Sequence, residues 1–151
     1  MTALMEGAHR IGFLQGVMTI VLKLFNVVRP TRAYFGEKDY QQLLAIEKMV
    51  RDFLLPIEIV ACPTVREPSG LAASSRNQLL SAAAREKAAI LFRALSTAPS
   101  SSEARKKIEA EGLVVDYVEE HWGRRFAAAF LEGVRLIDNV PLPESAAAGS
   151  R

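Results

Sequence analysis

The stretch Phe35-Gly36-Glu37-Lys38-Asp39-Tyr40-Gln41-Gln42-Leu43 constrains this chain more than any other. It joins a short apolar strand, residues 33–35, to the clearest amphipathic helix, residues 39–54. In that helix Leu43, Ile46, Val50 and Phe53 or Leu54 make a buried stripe, widened by Leu44 and Met49. Glu47, Lys48, Arg51 and Asp52 face water. Asp39 stands where a carboxylate accepts the free N–H groups of a first turn. Open α/β sheets bind ligands at such junctions, beyond the carboxyl ends of strands, where helix N-termini point at anions.

The flanking segments extend the pattern. Residues 17–28 read as a helix with Val17, Ile20, Val21, Leu24, Phe25 and Val28 on one face, ended by Pro30. Residues 57–62 read as a second strand after Pro56. The order helix, strand, helix, strand with short connections predicts parallel crossovers and a doubly wound α/β sheet. Residues 1–16, punctuated by Gly7, Gly12 and Gly16, form no strand, and Glu6 and Arg10 read as loop residues.

Residues 63–71 form a loop rich in turn formers: Pro63, Pro68, Ser69 and Gly70. A helix is expected from Ser81 to about Leu95. The small-residue segment 96–102 marks a subdomain boundary. A charged helix over 103–111 closes at Gly112. A strand over 113–119 and a hairpin of 126–131 and 134–140 around Glu132-Gly133 complete a small α+β unit. The alanine-rich tail from Pro143 reads as disordered.

Composition narrows the function. The chain has 151 residues, half of them hydrophobic, enough for one core and a small appendage. The formal net charge is +2 without runs of like charge, which argues against bulk nucleic-acid binding. The most apolar run is too short and too interrupted for a membrane span. The single cysteine, Cys62, fits a reducing cytoplasm and reads as a small buried strand residue.

Two clusters carry chemistry. Lys38 directly after a strand is a compact positive charge suited to a phosphate. Gly36 lets backbone approach a ligand with no Cβ in the way. Gln42, four residues on, offers a donor and an acceptor for a hydroxyl- or carboxylate-bearing substrate. One strand–loop unit later, Ser74, Ser75 and Arg76 supply hydroxyls and a guanidinium fork for phosphate oxygens. A capped helix start explains either cluster alone. Together they point to a nucleotide triphosphate site.

These residues resemble the pantoate–β-alanine ligase family. Gly36-Glu37-Lys38-Asp39-Tyr40-Gln41-Gln42-Leu43 looks like its central signature, and Gly70-Leu71-Ala72-Ala73-Ser74-Ser75-Arg76-Asn77 like its later loop. Leu4-Met5-Glu6-Gly7, Gly16-Val17, Lys23-Leu24-Phe25-Asn26 and Arg135-Leu136-Ile137-Asp138-Asn139 match in the same order. The resemblance runs nearly to Leu142. It implies a cytoplasmic ligase that forms pantoyl-adenylate from pantoate and magnesium-ATP, releasing pyrophosphate. β-Alanine then attacks the acyl carbon, giving pantothenate and AMP. It further implies that Gly36, Glu37, Lys38 and Asp39 contact ATP, and that Val65 touches adenine through its backbone. Ala73, Ser74, Ser75 and Arg76 would close over the triphosphate, with Asn77 supporting the turn, and Gln42 would hold pantoate. Lys38, Ser74, Ser75 and Arg76 are the expected catalytic residues; no protein-held metal is expected.

The departures shape the expectation equally. The family's Met-Gly-x-Leu-His-x-Gly-His segment has no counterpart; His9 and His121 lie in other contexts, one in a glycine-rich loop and one beside Trp122. Phe13 stands where relatives commonly have histidine, and the region between Glu119 and Phe126 looks shortened. The resemblance is therefore to the family's C-terminal portion. The expected fold is α/β: a partial Rossmann-like, doubly wound parallel sheet over residues 1–96 and an α+β subdomain over 97–142. An exposed sheet edge beside residues 33–35 predicts a homodimer or association with a separate N-terminal half. Two other classes stand beside the ligase: a non-catalytic nucleotide-binding or oligomerisation fragment, and an adenylate-forming enzyme for another acid.

Overall fold

The computed structural model describes residues 12–143. The expectations for Glu6, His9, Arg10 and the tail lie outside them. The chain forms two compact units, Met1–Thr64 and Val65–Arg151.

The first unit has the predicted order: α1 (Phe13–Val28), β1 (Arg32–Gly36), α2 (Tyr40–Asp52) and β2 (Glu58–Cys62). The strands pair in parallel, from Arg32 opposite Glu58 to Gly36 opposite Cys62. Ala33, Phe35, Ile57 and Ile59 pack with Phe25 of α1 and with Ile46, Met49 and Val50 of α2. Phe25 meets Phe35 edge-on at 6.4 Å between ring centroids. The alternation of β1 sends Tyr34 to the opposite face, where it is exposed. Cys62 is half-buried at the end of β2 instead of fully interior.

Helix α1 starts four residues before the expected position and turns differently. Leu14 and Phe25 are buried and Met18, Val21 and Leu22 pack beside them, whereas Ile20, Leu24 and Val28 are exposed. At about 100° per residue the apolar side chains cover well over half the circumference. Periodicity locates the middle of that broad arc; α2 and the sheet cover only one flank of it.

Helix α2 is preceded by a 3-10 turn, Glu37–Asp39. Leu43, Ile46, Met49 and Val50 are buried as expected, joined by Gln41 and Ala45. Phe53 and Leu54 are not part of the stripe: both are exposed. The helix stops at Asp52 because the chain folds back there. The Leu54 N–H donates to the Arg51 carbonyl (3.2 Å) and the Leu55 N–H to the Val50 carbonyl (2.9 Å). That is a Schellman cap with Leu54, at φ 52°, in the left-handed position glycine usually takes.

The second unit contains α3 (Ala82–Ala88), α4 (Ile90–Thr97), α5 (Ser101–Ala110) and an antiparallel sheet. Its strands are β3 (Val114–His121), β4 (Arg124–Leu131) and β5 (Val134–Pro141), in the order β3-β4-β5. The single helix expected from Ser81 is two, meeting at Ala89. Ala88, Ala94, Ala104, Ala128 and Ala129 are wholly buried, and their small side chains let the helices lie close on the sheet. Segment 96–102 joins two helices of one core, so the compact units divide at Thr64 instead of near residue 96.

Glu119 and Phe126 pair with each other in a hairpin, and Trp122 (φ 49°) and Gly123 (φ 68°) make its two-residue turn. Glu132 (φ 50°) and Gly133 (φ 75°) repeat the geometry between β4 and β5. Both residues of such turns need positive φ, and the resulting twist matches that of the strands.

Candidate functional site

In the first unit the junction after β1 carries the expected residues. Gly36 has an ordinary extended backbone, and a Cβ built on it would meet nothing within 4 Å. Among the described residues neither conformation nor packing requires glycine there. Lys38 is half-buried in the 3-10 turn and Gln42 is half-buried in the first turn of α2. Because Lys38 precedes the α-helix, the i, i+4 relation does not tie it to Gln42. Asp39 occupies the N-cap position, but its side chain makes no capping hydrogen bond. Its exposed carboxylate serves no helix-start role of the kind expected.

The second unit carries the other cluster, and here the geometry is explicit. Residues 65–73 form a narrow hairpin. Ala73 N–H donates to the Val65 carbonyl (2.9 Å), and Arg66 bridges Ala72 in antiparallel fashion. Val65 and Ala73, expected on the adenine and on the phosphates, are thus direct neighbours. Ser74 then caps a 3-10 helix, Ser75–Leu79, its Oγ accepting from the Arg76 N–H at 3.2 Å. The Ser75 and Arg76 side chains are exposed.

Asn77 anchors this segment from behind. It is 3% exposed, and its amide nitrogen donates to the Ala72 carbonyl (3.1 Å) and to Glu67 Oε1 (3.0 Å). Both partners accept only, which fixes the orientation of the amide. Glu67 also takes a two-nitrogen contact from Arg85, at 2.9 and 3.0 Å. The Arg85 hydrogen bond, followed by that of Asn77, holds the Glu67 carboxyl below its ordinary value of 4.5.

The other side of the hairpin is tied to the sheet. The Arg66 guanidinium grips Asp138 of β5 at 2.7 and 3.0 Å, donates to the Gly70 carbonyl at 3.0 Å, and lies 3.9 Å from the Phe92 ring centroid. Gly70 (φ 93°) must be glycine: a Cβ would stand 2.6 Å from the Phe92 ring. Sequence reasoning did not single out Arg66, Glu67, Arg85 or Phe92. Their only signal is a charged Arg-Glu pair inside a proline- and glycine-rich loop. Asp138 lay within a matched stretch but without a role.

The second unit offers two seryl hydroxyls and an exposed guanidinium on a braced turn. The first, by itself, offers an ammonium beside an open glycine. Each kind of group can meet an anion.

A family model described as Pantoate-beta-alanine ligase matches residues 1–141. The pantothenate synthetase of Legionella pneumophila (strain Corby) is 57% identical over 136 residues, covering 90% of this chain and 54% of the relative. That of Bdellovibrio bacteriovorus is 52% identical over 141 residues, covering 93% and 56%. Among solved structures, pantothenate synthetase from Thermus thermophilus matches at 43% identity with TM-score 0.82, covering 94% of this chain and 61% of that one. Pantoate-beta-alanine ligase from Francisella tularensis, complexed with beta-gamma ATP and beta-alanine, matches at 38% identity with TM-score 0.85, covering 93% and 54%. The chain spans little more than half the length of these curated relatives.

Proposed function

Since the chain belongs to the pantoate–β-alanine ligase family, we propose that it supplies the phosphate- and pantoate-holding part of such an enzyme. The observation that carries this reading is the pairing of Val65 with Ala73 on a turn braced by Asn77, Glu67 and Arg85. A backbone edge for a base and a hydroxyl-rich phosphate turn then belong to one rigid piece.

In this reading pantoate's carboxylate attacks the α-phosphorus of ATP. The bond to the bridging oxygen breaks, pyrophosphate leaves and pantoyl-adenylate forms. The amine of β-alanine then attacks the acyl carbon, loses a proton and expels AMP. Lys38 and Arg76 offset the negative charge that grows on the phosphates, the largest kind of catalytic contribution. Ser74 and Ser75 donate to phosphate oxygens; Ser74 can do so while its oxygen still accepts from Arg76. Gln42 orients pantoate, and Glu37, Asp39 and Gly36 line the approach to ATP. Alignment of carboxylate and phosphorus supplies much of the remaining rate. Magnesium would enter as part of the nucleotide substrate and would offset phosphate charge there.

The test is pyrophosphate release and pantothenate formation by the chain given ATP, magnesium, pantoate and β-alanine. Lys38→Ala should lower pyrophosphate release by about 10²–10³-fold. One other reading stands beside it, a nucleotide-binding fragment without turnover. ATP binding that is lost in Lys38→Ala, with no pyrophosphate released by either protein, would establish that reading instead.

A further inference from the structure

Arg66 sits at the centre of the hairpin formed by residues 65–73. Its backbone bridges Ala72, the Glu67 N–H donates to the Leu71 carbonyl (2.9 Å), and the Ala73 N–H donates to the Val65 carbonyl (2.9 Å). Val65 and Ala73 are therefore the residues next to Arg66 and Ala72. Whatever fixes Arg66 fixes the Val65 edge and the start of the Ser74 turn together.

The side chain that fixes it stands in an unexpected place. By the alternation of β5, Asp138 shares a face with Val134, Leu136 and Val140, and its cross-strand partner is Ala127; all four belong to the apolar core. Asp138 is buried there. Arg66 neutralises it with both terminal nitrogens, at 2.7 and 3.0 Å, and the Asn139 N–H donates to it at 2.8 Å. A buried pair of this kind commonly contributes no more stability than apolar side chains of similar volume. What it adds is direction, because a planar two-nitrogen fork fits a carboxylate in few orientations. The other brace runs elsewhere: Glu67 ties the hairpin to Arg85 of α3, whereas Arg66 ties it to β5.

We propose that Arg66 and Asp138 are positioning residues for a nucleotide. They set the spacing between the Val65 backbone edge and the Ser74-Ser75-Arg76 turn, so that one ligand carrying a base and a phosphate chain reaches both. The proposal rests on the reading above, in which these two ends take the adenine and the phosphates of ATP. Neither residue touches the ligand. Their contribution is a high effective concentration of the second end once the first is occupied. A ligand that uses only the turn gains nothing from it.

The test compares ATP with inorganic tripolyphosphate, each with magnesium, by calorimetry on the 151-residue chain. Arg66→Met/Asp138→Leu removes both charges at once and leaves no buried ion alone. In this double variant the ratio of ATP to tripolyphosphate affinity should fall about tenfold, with tripolyphosphate binding unchanged. Asp138→Asn keeps the shape and should lower the same ratio in part; it decides the matter where the double variant does not fold, as its thermal midpoint will tell. Arg76→Ala should weaken both ligands instead. An unchanged ratio in a folded variant overturns the proposal and leaves the reading of the turn intact. Equal losses for the two ligands make the pair a purely structural brace and overturn it as well. A parent chain that binds neither ligand, or whose binding ignores Arg76→Ala, overturns the underlying reading and the proposal with it.

Discussion

Glu67 shows how a single carboxylate can govern a whole turn. It receives Arg85 on one side and Asn77 on the other, and Asn77 in turn holds the Ala72 carbonyl just before Ala73-Ser74. Its folded-state acidity is raised, so its contribution to stability is complete above the ordinary carboxyl value of 4.5. That contribution is lost as pH falls through the lower folded-state value. Glu67→Gln should therefore melt below the parent protein at pH 7, and the difference should shrink as pH falls below the ordinary carboxyl value. A melting difference that does not change with acidification would mean that the ionised carboxylate is not what braces the turn. Arg125 makes a different residue-scale case. It is buried on β4, donates to the Leu95 and Ala98 carbonyls at the end of α4 (3.0 and 2.6 Å), and pairs with Glu120 at 2.8 Å. Arg125→Met keeps the bulk but strands those carbonyls, and should cost about 2–4 kcal/mol in urea unfolding. None of this was legible from sequence. An arginine in a run of apolar strand residues does not announce which carbonyls it will reach, because its partners lie about thirty residues away.

At the scale of elements the sequence was more readable, and its misreadings share a cause. The strand at Phe35, the helix after it and the hairpin around Glu132-Gly133 stand where pattern puts them, because period and turn chemistry are local. The Trp122-Gly123 turn was passed over since tryptophan is a poor candidate for positive φ. The end of α2 shows the same limit: Phe53 and Leu54 continue the apolar pattern, yet the cap turns them into water. Leu54 is 89% exposed with φ 52°, so its side chain packs little while its backbone carries the left-handed penalty of about 1–2 kcal/mol. Leu54→Gly removes that penalty and adds about 0.5–1 kcal/mol of chain entropy cost. A small net gain, about 0.5 kcal/mol, is the expected shift in unfolding free energy. A loss would show that the leucine makes a contact worth more than its strain.

The two compact units differ in how far each satisfies itself, and this decides where the molecule opens first. The second unit joins α3, α4 and α5 to a three-stranded sheet through one continuous core, with Ala104, Ile108, Ala128 and Leu95 essentially sealed from water. The first leaves Ile20, Leu24, Val27, Val28, Tyr34, Phe53 and Leu54 exposed around a core built on Phe25, Ile46, Met49 and Val50. Apolar area left in water contributes nothing to the roughly 25 cal/mol per Å² that burial supplies, while the ordering entropy of those residues is still lost. Subglobal opening should therefore begin in the first unit. In hydrogen exchange on the 151-residue chain, the amides of Ile46 and Met49 should exchange at least about tenfold faster than those of Ile108 and Ala128, a gap of about 1.4 kcal/mol in opening free energy. Equal protection would mean that both units open as one body. Sequence pattern alone could not have ranked the two, since α1 is as regularly apolar as any helix in the second unit. What separates them is how much of that apolar surface finds a neighbour.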